Sequence, residues 1–527
     1  MQSIILSSGS HGGAWRYILL ALYFLAMGAI AYYSRKRSSS LDDFYLGGKH
    51  IGGWMSAFAY GTTYFSAVIF VGYAGKFGWS FGLASVWIGV GNALVGSLLA
   101  WKVLAKRTRE FSIKKNAKTM PEFFKARYLD EKLKLAAAIV IFIFLIPYSA
   151  SVYQGIGQIF EMVFGLPFWV CIVMMAAVTA LYVFVGGYFA TALTDFVQGI
   201  IMLAGVTAMV VIAFLHLNGG GISFTEVFST LTDTGHGFFQ PMYENTKGLL
   251  GSRGFNVVIL TLLTSLGMWG LPQSIHKFYA VKEDGIKKAS VISTLFALVI
   301  GAGAYLFGSF STLMLNENTV PKTAAGAIDF DSIIPTILDA SMSPFMLGLI
   351  VVIILAAGMS SLASVSLSGA SALIMDFYKG FVKKNADEKK VNKYLRITCL
   401  VFILCSALLA VVKIDAIVTM MSLSWGTLAG CFIGPYVYGL YSKKVTRAAA
   451  RTSVAGGLII TLALTVLLGA VYPAAGLSGL SAVLKGGIAF APFTGVCAMI
   501  FSLVSVPVVS KFTKQFDEKE LAEIYNY

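Results

Sequence analysis

The chain has 527 residues, of which 57% are hydrophobic and 12% charged, with a net charge of +15. Soluble domains carry roughly 25% charged residues, so half that level, with apolar runs along the whole length, excludes a water-soluble globular class. The basic excess does not point to nucleic acid, because Lys and Arg fall in short clusters between apolar segments.

Residues 1–13 carry no charged side chain, His11 aside, and the apolar segment Tyr17 to Tyr33 lacks a basic leader and a small-residue cleavage site. It reads as a retained membrane helix. A spanning helix needs about 20 mainly apolar residues. By that measure thirteen spans are predicted, at 14–34, 51–75, 80–104, 134–163, 167–186, 190–216, 252–275, 289–315, 343–376, 393–412, 415–441, 448–472 and 485–510. With the N-terminus outside and the C-terminus cytoplasmic, 33 of the 40 Lys and Arg lie on the inner side. Only Arg16, Lys76, Lys247, Arg253, Lys322, Lys413 and Lys485 lie outside. That asymmetry sets the orientation. The five cysteines lie in apolar runs without ligand spacing and read as buried thiols.

A span must satisfy its own backbone polar groups, so interruptions carry information. The second span holds Gly52-Gly53, then Tyr60-Gly61-Thr62-Thr63-Tyr64-Phe65-Ser66-Ala67, then Gly72 and Gly75. It fits a helix that unwinds near mid-membrane to offer carbonyls to a cation and amides to an anion. Small-residue helix packing fits the same segment. In the sixth span Asp195 follows Thr194 in an otherwise uncharged stretch. A carboxylate there is either functional or a structural anchor near the interface. The seventh span ends Met268-Trp269-Gly270-Leu271-Pro272-Gln273-Ser274-Ile275-His276-Lys277, with His276 read as an interfacial polar residue. The ninth, Ala356 to Ser371, places six serines within twelve residues, and Ser360, Ser364, Ser368 and Ser371 share a helical face with Ser361 beside it. Neutral hydroxyl and carbonyl oxygens suit a hard cation. Ser360 and Ser361, one turn after Ala357, are therefore the candidate cation ligands, and the later serines fit a packing stripe.

The ordered set of motifs resembles the sodium:solute symporter family. It comprises Asp43-Phe44-Tyr45-Leu46-Gly47-Gly48-Lys49, Thr119-Met120-Pro121-Glu122-Phe123-Phe124 with Arg127-Tyr128, and Gly186-Gly187 with Thr194-Asp195-Phe196-Val197-Gln198. Further along come Gly270-Leu271-Pro272-Gln273 with Lys277-Phe278, Ser360-Ser361-Leu362 with Asp376-Phe377-Tyr378, and Ser424-Trp425-Gly426 with Gly434-Pro435 and Leu440-Tyr441. The resemblance implies an all-α integral membrane protein of leucine-transporter-like fold with 5+5 inverted repeats. On that reading residues 1–48 form a peripheral helix and loop, 49–216 the first repeat, 217–251 an extracellular loop, 252–441 the second repeat, and 442–527 two peripheral helices and a tail.

Carried onto this sequence, the resemblance implies a Na+ site made of the carbonyls of Thr62, Phe65 and Ala357 and the hydroxyls of Ser360 and Ser361. A second ion site would use Asp195 and Ser364. Because position 363 is alanine, one Na+ per solute is expected. The solute should sit near the midplane, with Tyr64, Ser66, Ile69, Phe70, Tyr148, Tyr153, Gln154, Trp269, Gln273 and Trp425 as contacts. These spans show no charged side chain at mid-membrane, and Ile69 stands where the sugar carriers have glutamine. A small amino acid such as proline, or a monocarboxylate, is therefore expected, with a sugar, a sialic acid or proton coupling as the rivals. The expected partners are the solute and the lipid bilayer of a bacterial cell membrane, with neither nucleic acid nor an evident protein partner. The sequence shows no attached signalling domain or charge ring of a channel, and no nucleophile, paired carboxylates or His cluster of a membrane enzyme.

Overall fold

The computed structural model describes residues 14–34, 45, 51–219, 221, 223–240, 249–323, 326–383 and 386–525. In lipid the backbone has no water to bond, so a spanning chain closes its own hydrogen bonds as helix. The described residues are accordingly mostly helical, and the β-pairing among them is confined to isolated bridges at Ile51–Val281 and Lys322–Ile328. The elements used below are α1 (Trp15–Ser34), α2 (Gly53–Tyr64), α3 (Ala74–Phe81), α4 (Met120–Tyr128), α5 (Glu131–Phe164), α6 (Phe168–Gly219), α7 (Arg253–Gly267) and α8 (Pro272–Ala280). They continue as α9 (Ile286–Ser309), α10 (Pro344–Ser371), α11 (Glu388–Val412), α12 (Ile417–Tyr441), α13 (Arg447–Val471), α14 (Ala491–Phe512) and α15 (Glu518–Tyr525).

Burial sorts these helices into a centre and a rim. α10 and α12 carry buried residues around nearly their whole circumference. α1, α11 and α13 expose large apolar side chains such as Leu25, Leu408 and Leu467, which is what a lipid-facing helix does. Close approach at the centre depends on small residues. A Cβ on Gly358 of α10 would lie 2.3 Å from the Ile156 side chain of α5, so any larger residue there would have to displace that side chain.

Among the described residues ten helices are long and apolar enough to cross a membrane, or eleven when the bent pair α7–α8 counts as one span. The predicted thirteen are not reproduced. The spans drawn at 51–75 and 80–104 meet in a helical run over Ile69–Lys115 of 47 residues, about 70 Å at 1.5 Å per residue. That is more than twice the hydrocarbon thickness. Gly82, at φ +58°, marks where the chain turns inside it. The spans drawn at 167–186 and 190–216 are fused in α6, whose 52 residues measure about 78 Å.

Two further expectations are corrected. The seventh span does not end at 275: after a 41° bend it continues as α8, all nine residues of which are buried. His276 is therefore packed between the rings of Tyr45 and Tyr188, at 4.4 and 4.7 Å, and is not interfacial. Cys405 and Cys497 are half-buried, unlike the other three thiols. Of the motif at 43–49 only Tyr45 belongs to the described residues.

Candidate functional site

The site forms where α2 stops. Phe65 leaves helical geometry at φ −105°, ψ 102°, and the chain resumes as a π-helical turn, Ile69–Tyr73, leading into α3. Across the gap Phe65 N–H still bonds the Gly61 carbonyl at 3.0 Å, but Ile69 N–H reaches only to Ser66, at 3.1 Å. The hydroxyl of Ser66 accepts the Val68 N–H at 3.3 Å, the work of a helix N-cap. The break thus sits at Phe65–Ser66, four residues beyond Gly61. Gly61 is helical and makes room for the Phe296 ring, which would be 2.4 Å from a Cβ there.

Opposite the break stands α10, unbroken from Pro344 to Ser371. The ninth span therefore offers serine hydroxyls from a rigid rod, and its carbonyls stay in the helical ladder. Ser361 Oγ donates to the Thr62 carbonyl at 3.1 Å. Ser360 Oγ lies 2.8 Å from Thr62 Oγ1 and 2.6 Å from Asp195 Oδ1. Thr62 Oγ1 donates to the Phe58 carbonyl at 2.9 Å, so its proton is already committed. The single Ser360 proton must therefore serve two oxygens. Thr62, Ser360, Ser361 and Asp195 are all fully buried, which leaves a dry cluster with more oxygens than protons. Such a donor set suits a bare alkali ion. Phe65 lies at the break and Ala357 one turn before Ser361. Among the described residues no group of three or more His, Cys, Asp or Glu forms a transition-metal site.

One residue in this region was missed in the sequence. Lys277 of α8 is buried to 1% exposure; its Nζ donates to Ser364 Oγ at 3.0 Å and lies 3.7 Å from Asp195 Oδ2. Ser364 also stands 3.1 Å from Thr63 Oγ1. Asp195 is therefore a bridge inside the bundle and not an anchor at its edge, and the spans do contain a buried cation. The available signal was the spacing: Lys277 follows Gln273 by four residues, so it shares a helical face with a residue expected to point inward.

Beyond the break lies a cavity of about 20 Å³ lined by Tyr64, Phe65, Ser66, Ile69, Tyr73, Asn92, Thr264, Tyr305, Met421 and Trp425. That volume holds roughly one water, so the site is closed around its centre. Four of the ten expected contacts line it: Tyr64, Ser66, Ile69 and Trp425. Tyr148 packs edge-on against Trp425 with centroids 5.6 Å apart. Gln154 opens instead on a separate vestibule of about 290 Å³ with Asp329, Asp331 and Lys413. Trp269 is engaged by the Val95 carbonyl at 3.0 Å. Phe70, Tyr153 and Gln273 are buried away from the lining. Tyr73, Asn92, Thr264, Tyr305 and Met421 were not foreseen; Asn92, Tyr305 and Met421 lie on spans whose sequence shows no break. Asn92 Oδ1 accepts the hydroxyls of Thr264 at 2.7 Å and Ser265 at 3.2 Å. Trp425 Nε1 and the Tyr305 hydroxyl are buried without a hydrogen-bond partner, and buried polar groups normally have one. No charged side chain lines the cavity.

Relatives cover the whole architecture. The sodium/proline symporter of Staphylococcus aureus is 28% identical over 517 residues, 96% of this chain and 95% of that protein. Among solved structures, a substrate-bound, outward-open Na+-coupled sialic acid symporter superposes with a TM-score of 0.74 at 18% identity, covering 97% of this chain and all of the other. The nucleobase-cation-symport-1 transporter Mhp1, in a closed conformation, gives 0.51 at 17% identity over 91% and 97% of the two chains. These two likenesses establish the fold. The family description that matches residues 44–457 is the sodium:solute symporter family. Fold, ion-suited oxygen cluster and family agree: the chain belongs to the sodium:solute symporter family and is a Na+-coupled symporter of a small solute.

Proposed function

We propose that the solute is a small zwitterionic amino acid, proline first among them, carried with one Na+ per turnover. The observation that carries this reading is the shared break. Thr62 faces the serine hydroxyls on one side, and Phe65, Ser66 and Ile69 face the cavity on the other. Na+ held by Thr62, Phe65, Ala357, Ser360 and Ser361 would fix the break, and the fixed break would order the solute site beside it. The lining favours a compact body with an apolar ring: the Tyr64 ring stacks on Phe65 at 4.4 Å and approaches Trp425 at 6.1 Å. Tyr305 and Trp425 supply unpartnered donors for a carboxylate. The proline symporter relative supports the same choice. A sugar, with many hydroxyls, finds few partners in this lining.

The basic residues of the inner loops support an orientation with the N-terminus outside. The two bent passes, at Phe65–Ser66 and between α7 and α8, support reading 49–216 and 252–441 as corresponding halves. The test is thermal stabilisation of the purified protein by proline, monocarboxylates, sialic acid and hexoses, with NaCl and with choline chloride. Proline should raise the melting temperature in NaCl only. Stabilisation by a hexose, or by proline equally in both salts, overturns the proposal.

A further inference from the structure

The second-ion groups of this chain already hold a cation. Asp195 and Ser364 are the residues to which the family resemblance assigns a second Na+. The Lys277 ammonium donates to Ser364 Oγ at 3.0 Å and lies 3.7 Å from Asp195 Oδ2. Neither charge reaches water: Lys277 is 1% exposed and Asp195 0%. The remaining charged face of the ammonium is covered by the Tyr188 ring, whose centroid is 4.9 Å away. An ammonium and a Na+ are both monovalent hard cations that take oxygen ligands. Two of them sharing one buried carboxylate would repel strongly at low dielectric. The same carboxylate continues toward the first cluster. Its other oxygen accepts from Ser360 Oγ at 2.6 Å, and Ser360 Oγ stands 2.8 Å from Thr62 Oγ1.

We propose that Lys277 is a resident, covalently tethered cation in the second ion position. It limits the transporter to one free Na+ and, through Asp195, holds Ser360 in place for that ion. Three features combine in the argument. The lysine grows from α8, the element after the bend, so its ammonium is delivered by the second broken pass. The carboxylate it pairs with comes from α6 and the hydroxyl from α10, so the tether joins three separate helices. Ala363 supplies no further oxygen beside Ser364, which would leave a free ion under-coordinated where a tethered ammonium, with three donors, is not. Lys277 is thus a positioning residue for the ion site, and the inference rests on the one-Na+ reading given above.

The test counts bound Na+ at equilibrium on the purified full-length protein, by 22Na+ binding and by the Na+ dependence of thermal stabilisation. The wild type should bind one Na+ with a Hill coefficient near one. Lys277→Met frees the Asp195 carboxylate and should bind two, with a steeper dependence. Lys277→Arg, which retains a cation, should bind one. Lys277→Met combined with Asp195→Asn removes both charges and should also return to one. A Lys277→Met protein that binds a single Na+ overturns the proposal while the one-Na+ reading stands; a wild type that binds two overturns both. Should Lys277→Met fold only in high NaCl and not in equal choline chloride, the free ion has replaced the tether, as proposed. A variant that folds in neither salt overturns the idea that a free cation and the ammonium are interchangeable.

Discussion

Removing the Ser361 hydroxyl is the most direct perturbation of the coupling site. Ser361→Ala deletes one oxygen from a cluster in which Ser361 Oγ reaches the Thr62 carbonyl at 3.1 Å across the break. It alters no packing of consequence, since one atom leaves a helix that is continuous on both sides. Interactions of a neutral group with a charge contribute about 1.5–3 kcal/mol each. At about 1.4 kcal/mol per tenfold, the apparent Na+ affinity should fall roughly 10- to 150-fold. Solute affinity at saturating Na+ should change far less, because Ser361 is absent from the cavity lining. The assay is solute uptake into proteoliposomes as a function of Na+ at fixed membrane potential, checked by Na+-dependent thermal stabilisation in detergent. An unchanged half-saturating Na+ concentration refutes the assignment of the ion to this cluster. A loss confined to solute affinity refutes the separation of the two sites.

Three other predictions follow from single features. Tyr305→Phe and Trp425→Phe each remove a buried donor without a protein partner; each should weaken solute binding by about 1 kcal/mol, roughly fivefold, and leave Na+ affinity unchanged in calorimetry. Gly82 holds φ +58°, and a Cβ there would meet His236 Cβ at 2.4 Å. Gly82→Ala should therefore cost at least about 1–2 kcal/mol and lower the melting temperature. Burial in the vestibule wall, with Asp329 and Asp415 nearby, pushes the Asp331 carboxyl up to about 6, above the usual value of about 4. The fold therefore favours its protonated form. The stability tied to it is fully present below pH 4 and is lost as pH rises through 6. Asp331→Asn, melted at a series of pH values, should remove that part of the pH dependence.

What the sequence discloses depends on whether the signal is local. Apolar runs of about 20 residues follow from bilayer thickness alone, so the membrane class and most spans could be read directly. The serine stripe was legible because helical spacing puts Ser360 and Ser364 on one face. The sequence places the break only within the stretch Tyr60 to Ala67, and not at a residue. Glycine reads as a breaker, while the actual device is Ser66 capping the following turn. Lys277 was misread because a lysine near the end of an apolar run looks like a topology signal. Its partners, Asp195 and Ser364, lie 82 and 87 positions away in the chain, and nothing local announces them. The cavity lining failed similarly at Asn92 and Tyr305, which are polar residues on helices with no interruption. The count of thirteen is not confirmed: among the described residues the spans drawn at 51–75 and 80–104 share one helical run and those at 167–186 and 190–216 share α6, so hydropathy marks apolar stretches without marking where one helix ends and the next begins.

The arrangement also fixes how the two ligands must speak to each other. α10 is a single rod of 28 residues, so Ser360, Ser361 and Ser364 keep their mutual positions. The adjustable part is the break, where Phe65 and Ser66 lie outside any helix. Thr62 meets the serine hydroxyls and cavity residues begin at Tyr64, so either ligand that orders this short stretch reduces the ordering left to the other. Coupling of this kind is typically 1–3 kcal/mol, about 5- to 150-fold, and it is reciprocal. Solute affinity measured by calorimetry at low and at saturating Na+ should differ by that factor, and Na+ affinity should rise by the same factor when solute saturates. Substituting Ser66→Gly, which removes the cap and loosens the break, should enlarge both factors together, because more ordering is then left for the first ligand to supply. A coupling factor of one in the wild type would mean that the break does not join the sites, whatever each of them binds alone.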